Sequence, residues 1–118
     1  MSTLQRLECN LNIRYDLPKE IWDKMPAVYA QMSGWLGFGG TNGGQPGIPY
    51  WFSFNPDEKS IYASVEISGL QICAYMEEDE WENWKARIKK VATSILGFKV
   101  GELEEGEVDD EIEWITQY

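Results

Sequence analysis

The strongest constraint on the fold is a two-residue period in the middle of the chain, followed at once by a helical period. Residues 61–67 alternate apolar and polar side chains, and the alternation resumes after Ser68 and Gly69. A period of two is typical of β-strands, and a Ser-Gly pair between two such runs predicts a two-residue turn. We therefore expect a β-hairpin in which Ile67 lies opposite Leu70.

The two faces of this predicted hairpin differ in chemistry. The apolar residues of both strands share one face. The other face carries polar and aromatic side chains, with Glu66 predicted opposite Gln71 and Tyr62 opposite Tyr75. An antiparallel sheet with one packed face and one wet face has this pattern.

An amphipathic helix is predicted directly after the hairpin. Its apolar residues recur at intervals of three and four and form one stripe. They are Trp81, Trp84, Ile88, Val91 and Ile95. Acidic residues fill the first turn and basic residues follow, an order that the helix dipole favours by about 0.3 to 1 kcal/mol per charge. We expect the helix to end at Gly97 and to pack its stripe on the apolar face of the hairpin.

Two further elements are predicted in the N-terminal part of the chain. Residues 7–13 alternate with apolar odd positions, which indicates a strand of the same sheet. Residues 16–32 have helical spacing, but Pro26 interrupts it. Since an interior proline costs about 3 kcal/mol in a regular helix, we expect a kink or two short helices meeting at Met25 and Pro26.

Residues 34–49 contain glycine at nearly every second position. A phosphate-binding loop needs a Gly-Lys-Ser/Thr ending, and a dinucleotide site needs the order strand, loop, helix. Here the predicted order is helix, loop, strand, and the stretch has no lysine. We therefore expect a mobile connecting loop that Trp35, Leu36 and Phe38 anchor to the core.

Two short strands complete the prediction, over residues 50–54 and residues 98–103. At 118 residues, 43% of them hydrophobic, the chain is long enough for one domain with a core and too short for two ordinary ones. The predicted fold is a single α+β domain over residues 1–118, an antiparallel sheet of about four or five strands with two helices packed on one face.

The composition narrows the classes of function. Twenty acids against ten bases give a net charge of −10, so nucleic acid and anionic membranes are disfavoured as partners, whereas a basic protein is compatible. No apolar run long enough for a bilayer and no secretory signal is recognised, and we expect either a soluble intracellular protein or a mature chain. Cys9 and Cys73 have neither metal-site nor disulfide spacing, and Cys9 is expected to act as a small buried hydrophobe.

Histidine is absent from the chain. This excludes Ser-His and Cys-His nucleophile pairs and histidine-bearing metal sites. Carboxylates remain, in two acidic clusters at residues 77–82 and 102–113. They do not match a calcium loop, and a domain of this size rarely forms the deep cleft that glycoside hydrolysis needs, so we expect no enzyme. For the first cluster, stabilisation of a helix N-terminus is a sufficient explanation.

In several runs the chain resembles, in size and element order, the small acidic α+β immunity proteins of bacterial polymorphic toxin and contact-dependent inhibition systems. The runs are residues 48–54, 61–66, 80–85 and 95–102. The resemblance implies a cytoplasmic antitoxin that binds one cognate toxin domain and protects the producing cell. Such families diverge quickly at their binding face, so no contact residues are transferred from them.

The expected binding surface joins the wet face of the sheet to an acidic C-terminal segment at residues 102–118. Its apolar residues predict that this end docks either on its own domain or on a partner. The candidate contact residues are Tyr62, Glu66, Tyr75, Glu102, Glu104, Glu105, Asp109, Asp110, Glu111, Trp114 and Tyr118.

The expected function is stoichiometric inhibition of a basic toxin domain, for which a nuclease is a natural candidate because its groove must be basic. No catalytic residue, metal or cofactor is predicted, and the chain is expected to be a monomer or a homodimer. Two alternatives stay open. One is a phage- or plasmid-encoded acidic inhibitor that mimics the charge of nucleic acid, and the other is a small carboxylate enzyme.

Overall fold

A computed structural model describes residues 3–41, 43–109 and 111–115. The elements in chain order are β1 (Gln5–Leu11), α1 (Lys19–Trp22), α2 (Met25–Ala30), β2 (Trp35–Phe38), β3 (Pro49–Trp51), β4 (Ser60–Glu66), β5 (Gly69–Met76) and α3 (Glu78–Leu96). The strands form one antiparallel sheet in the order β1-β5-β4-β3-β2. The predicted α+β class is confirmed.

One face of the sheet is buried against the helices. The apolar residues of β1, β4 and β5 form a single core cluster with the inner stripe of α3 and with α1 and α2. Trp51 of β3 lies at its centre, with its ring 5.1 Å from that of Trp84, and it donates its indole N–H to the Tyr29 carbonyl at 3.0 Å. Large aromatic side chains therefore join the sheet to both helical parts.

The register of the central hairpin differs from the prediction by two residues. Gly69 pairs with Glu66, so the turn consists of Ile67 and Ser68, and the predicted pair of Ile67 with Leu70 is wrong. The reason is the close approach of β1. Gly69 has φ of +142°, and a Cβ there would lie 2.2 Å from the Leu11 carbonyl oxygen. A shift of two keeps the paired side chains of both strands on their predicted faces. Ile67 is the exception: it was predicted on the apolar face, but it lies in the turn and is 85% exposed.

Pro26 divides the first helical region as expected. Helix α1 ends at Trp22, and α2 begins at Met25 with the proline in its first turn, where it lacks no hydrogen bond that the helix needs. The prediction of two short helices meeting at Met25 and Pro26 is confirmed.

The glycine-rich stretch is not a loop throughout. Its beginning forms the edge strand β2, which pairs with β3, so the prediction of an uninterrupted loop over residues 34–49 is wrong. Trp35 and Phe38 contact Tyr29, with ring centroids 5.9 and 6.2 Å apart, and Leu36 is 44% exposed. Backbone pairing gives this stretch its strand in spite of its glycine content.

The rest of the glycine-rich stretch folds back over the opposite, open face of the sheet. It covers Tyr50, which is 6% exposed and accepts a hydrogen bond from the Gln45 amide at 2.9 Å. A Cβ on Gly44 would lie 2.5 Å from the Tyr50 ring, so glycine is required here by close packing. Strand β3 ends at Trp51, and the following residue, Phe52, has φ of +71°, so the predicted strand over residues 50–54 is shorter than expected.

The predicted strand over residues 98–103 does not form. Only single bridges occur there, between Leu11 and Glu102 and between Phe98 and Trp114. The Asn12 side-chain oxygen accepts a hydrogen bond from the Gly101 backbone N–H at 3.0 Å. The Asn12 backbone N–H in turn donates to the Gly101 carbonyl at 3.1 Å. A side chain thus replaces part of the strand pairing, and the backbone leaves the sheet.

Candidate partner-binding surface

The C-terminal segment begins at a nearly buried ion-pair cluster, here called the Glu102 cluster. The Glu102 carboxylate, whose side chain is 10% exposed, lies 2.7 Å from Lys89 Nζ and 3.3 Å from Lys85 Nζ. Glu107 completes the cluster: its carboxylate lies 2.9 Å from Lys89 Nζ and accepts the Glu102 amide at 2.9 Å. Both lysines project from α3, so the cluster fixes residues 102–107 to that helix.

The cluster alters the protonation of its members. Burial alone would lower the pKa of Lys85 and Lys89, but hydrogen bonds and charge from the neighbouring glutamates raise both pKa values above the usual lysine value. Burial likewise opposes ionisation of Glu107, yet the Glu102 amide and Lys89 outweigh it and keep the Glu107 pKa below the usual value. All three groups therefore stay charged at neutral pH.

The far end of the segment is also attached to the domain. The Lys99 amide donates to the Glu113 carbonyl at 3.0 Å, and the Ile115 amide donates to the Gly97 carbonyl at 2.9 Å. The rings of Phe98 and Trp114 pack edge to face at 5.4 Å. Of the two ways in which this end was expected to dock, the described part docks on its own domain.

Between these two attachments the acidic side chains point outward. Glu104, Glu105, Asp109 and Glu111 are exposed, and none of them makes an ion pair with another residue in the described ranges. Leu103, Trp114 and Ile115 are 40%, 44% and 60% exposed beside them. Of the predicted contact residues, Asp110 and Tyr118 lie outside the described residues.

The other predicted contact residues lie on the open face of the sheet. Tyr62 and Tyr75 are half-buried there, and Glu66 is exposed at the end of β4, where it accepts a hydrogen bond from Ser64. Tyr62 pairs across the strands with Cys73 rather than with Tyr75, in keeping with the shifted register.

The predicted site therefore divides into two groups. Val65, Leu70 and Leu11 lie at one level on β4, β5 and β1, and Leu11 forms a single bridge with Glu102, so about three strand spacings, roughly 14 Å, separate Val65 from Glu102. The sheet-face group lies on β4 and β5, and β1 separates it from the C-terminal acids. Glu102 belongs to neither exposed group, because its carboxylate is bound inside the domain.

Residues that the sequence pattern did not single out complete the open face. Arg6 and Glu8 of β1 lie beside Tyr75 and Cys73 of β5, respectively. Pro56 lies above them in the turn between β3 and β4. The alternation over residues 7–13 predicted that Glu8 lies on this face, but it did not include Arg6, and only the strand order shows which residues the two neighbour.

The two thiols have little nucleophilic character. Burial, with a smaller contribution from Glu102, raises the pKa of Cys9 to about 12. Burial also raises the pKa of Cys73, opposed by its hydrogen bond with Tyr62 and supported by Glu8 and Glu66. In the ranges that the structure covers, no group of three or more Cys, Asp and Glu side chains is placed to hold a metal ion, and no helix is long and apolar enough to cross a membrane.

Comparison with known proteins gives no match. The chain matches no protein-family model, no curated protein and no solved structure. A functional hypothesis therefore has to come from the exposed surface itself.

Proposed function

We propose that this chain is an immunity protein, which binds a cognate basic toxin domain of a bacterial competition system and blocks it by stoichiometric binding. The observation that carries the proposal is the described part of the C-terminal segment, which is attached to the domain at residues 102–107 and again at residues 113–115, while Glu104, Glu105 and Asp109 and the apolar residues Leu103 and Trp114 are exposed.

Attachment at both ends favours binding over simple solvation. A free acidic tail would lose backbone and side-chain freedom when it met a partner, and that loss reduces affinity. Here the Glu102 cluster and the Gly97 to Ile115 hydrogen bond already restrict the backbone. Trp114 and Leu103 supply exposed apolar surface next to the acids, the combination from which binding energy at protein interfaces commonly comes.

The charge of the surface indicates the class of partner. A chain with net charge −10 attracts a basic protein over long distances, and a concentrated acidic surface directs its approach. An enzyme that grips nucleic acid presents a basic groove, so a nuclease toxin domain is the partner that fits best.

The proposal is tested first by rescue of growth. Each candidate toxin gene next to the gene for this chain is expressed in bacteria with and without the chain. We expect one of them to stop growth and this chain to restore it, with a one-to-one complex recovered from the cells. If no neighbouring product is neutralised, and the chain instead binds a host defence enzyme, the immunity proposal is wrong and a phage-type inhibitor replaces it.

A charge-reversal variant then tests the surface. Glu104, Glu105 and Asp109 are changed together to lysine, which should slow association with the toxin domain about tenfold or more at low salt and change dissociation much less. Stopped-flow mixing measures both rates.

The matched control reverses three exposed acids elsewhere, Asp16, Glu20 and Glu78. Both triple variants change the net charge by the same amount, so the general attraction of an acidic protein is equal and only position differs. Equal slowing in the two variants would show that the C-terminal acids have no special role.

A further inference from the structure

A groove crosses the open face of the sheet below the β3–β4 turn. We call it the tyrosine groove. It encloses a cavity of about 340 Å³, in the lower part of the size range typical of ligand sites. Its principal lining residues are Arg6, Glu8, Pro56, Tyr62, Cys73 and Tyr75. Beyond Pro56 and Tyr62 it continues into a second cavity of about 250 Å³ that reaches Tyr50.

The strand register arranges the groove in rows. Ser60, Tyr75 and Arg6 lie side by side on β4, β5 and β1, and Tyr62, Cys73 and Glu8 form the next row. Each row thus has one tyrosine, one small residue and one charged residue within two strand spacings, about 10 Å.

The first row already binds a guanidinium group from the chain itself. The Arg6 guanidinium carbon lies 4.7 Å from the centre of the Tyr75 ring, a cation–π distance. Arg6 Nη2 lies 3.5 Å from the Asp57 carboxylate, and Arg6 Nη1 donates a hydrogen bond to the Pro56 carbonyl at 3.4 Å. The Arg6 and Asp57 side chains are 65% and 85% exposed, so this pair is weak and can exchange with solvent.

The second row also offers a tyrosine ring and a carboxylate, those of Tyr62 and Glu8, but it contains no cation. The Glu8 carboxylate accepts one hydrogen bond, from Gln71 at 3.2 Å, and makes no ion pair with the residues that the structure describes. Cys73 between them is a protonated thiol, and its hydrogen bond raises the pKa of Tyr62, so neither adds charge. A ring and a carboxylate therefore flank an uncharged floor.

The surrounding charge is negative. Among the residues that the structure describes, the carboxylates of Glu8, Asp57, Glu58 and Glu66 lie on or beside the open face, where Arg6 is the cation of the groove lining and the nearby Lys59 is paired with Glu80. Cations are therefore attracted to the groove and anions are repelled.

We propose that the tyrosine groove binds an arginine side chain of the partner, with the guanidinium group over Cys73, between the Tyr62 ring and the Glu8 carboxylate. The mode is that of Arg6 on Tyr75, one row along the sheet. Arginine is favoured over lysine because its planar group stacks on a ring and is less strongly hydrated. The identification of the partner as a basic toxin rests on the proposed function, but the preference of the groove for arginine does not.

The test measures that preference without any partner. N-acetyl-arginine N-methylamide is titrated into the isotope-labelled chain and followed by backbone NMR, with the uncharged isostere N-acetyl-citrulline N-methylamide as the matched probe. We expect saturable shifts of the Tyr62, Cys73 and Glu8 signals with the arginine probe and none with citrulline. The lysine analogue should bind more weakly than arginine.

Three variants locate the binding site. Tyr62→Leu should weaken binding of the arginine probe about two- to fivefold, the range expected for one exposed cation–π contact. Glu8→Gln should also weaken it, whereas Arg6→Gln should strengthen it because a like charge is removed. Glu20→Gln, an exposed acid on α1, is the control and should change nothing. The thermal midpoint of each variant shows that it folds.

The outcomes are separable from those of the growth assay. Equal shifts with arginine and citrulline, or shifts confined to residues 103–113, overturn the groove proposal even if a toxin is neutralised. Conversely, selective arginine binding supports the groove proposal even if no neighbouring toxin is found, and then only the proposed function fails.

Discussion

The two cysteines show how differently the two faces of one sheet are used. Cys9 pairs with Ile72 on the core face. Cys73 pairs on the open face with Glu8, the residue that immediately precedes Cys9 in β1. Cys9 is 6% exposed and surrounded by apolar side chains, whereas Cys73 is half-buried between a tyrosine and two glutamates. Stability is concentrated on the first face and polar chemistry on the second. Substitutions on the two faces should therefore have separable effects.

The largest effect is expected on the core face, for Trp84→Ala. Trp84 is 5% exposed, stacks on Trp81 at 6.1 Å and donates its indole N–H to the Ser33 carbonyl at 3.1 Å. Removing a buried aromatic side chain costs about 3 to 5 kcal/mol of unfolding free energy. Urea denaturation measures the loss. Trp114→Ala is the control and should cost roughly 1 kcal/mol, because much of that side chain is already in water. Similar losses in both would contradict the placement of Trp84 in the core.

A smaller effect is expected at the Glu102 cluster, which extends the core beyond the edge of the sheet. Glu102→Gln leaves Lys85 and Lys89 without their shared carboxylate, and charged hydrogen bonds of this kind contribute about 1.5 to 3 kcal/mol. Chemical denaturation of this variant is compared with that of Glu104→Gln, an exposed neighbour whose substitution should stay within about 0.5 kcal/mol. Equal stabilities would mean that the cluster does not hold the segment.

The smallest effects come from the cysteines themselves and give the most direct comparison. Cys9→Ser places a hydroxyl among apolar side chains and should cost about 1 to 3 kcal/mol. Cys73→Ser keeps a hydrogen-bonding partner for Tyr62 and should change the unfolding free energy by about 0.5 kcal/mol or less. Chemical denaturation of the two variants under identical conditions measures the difference. A larger loss of unfolding free energy for Cys73→Ser than for Cys9→Ser would reverse our assignment of the two faces.

Alternation and helical spacing were sufficient to predict most of the fold. They depend on local chemistry, and they predicted β1, the hairpin, α3 and the break before Pro26. The register of the hairpin was not predictable in this way, because the position of Gly69 depends on the approach of Leu11 from a strand far away in sequence. Strand β2 was missed for a related reason: Gly37 within it and the glycines that flank it have poor strand propensity, and only its pairing with β3 creates the strand.

The candidate site was less predictable than the fold. In sequence, Glu102 looks like any other member of the acidic run, but Lys85 and Lys89 bind it and remove it from the exposed set. The two lysines are four residues apart on α3 and thus project from one side of it, a signal that an acidic partner was to be sought. The tyrosine groove could not be predicted, because β1 and β5 are adjacent in space but about 65 residues apart in the chain.

Five of the six tryptophans form two optical reporters, and the sixth, Trp22 of α1, is partly buried against the core. Ring contacts join Trp35, Trp51, Trp84 and Trp81 in series, close enough to exchange excitation energy, and their stacked and tilted rings should give strong near-ultraviolet circular dichroism. Trp114 lies apart from them, against Phe98 at the acidic surface. Its emission can change when a partner covers that surface while the dichroism of the cluster stays constant. Binding and unfolding can thus be followed in one unlabelled sample.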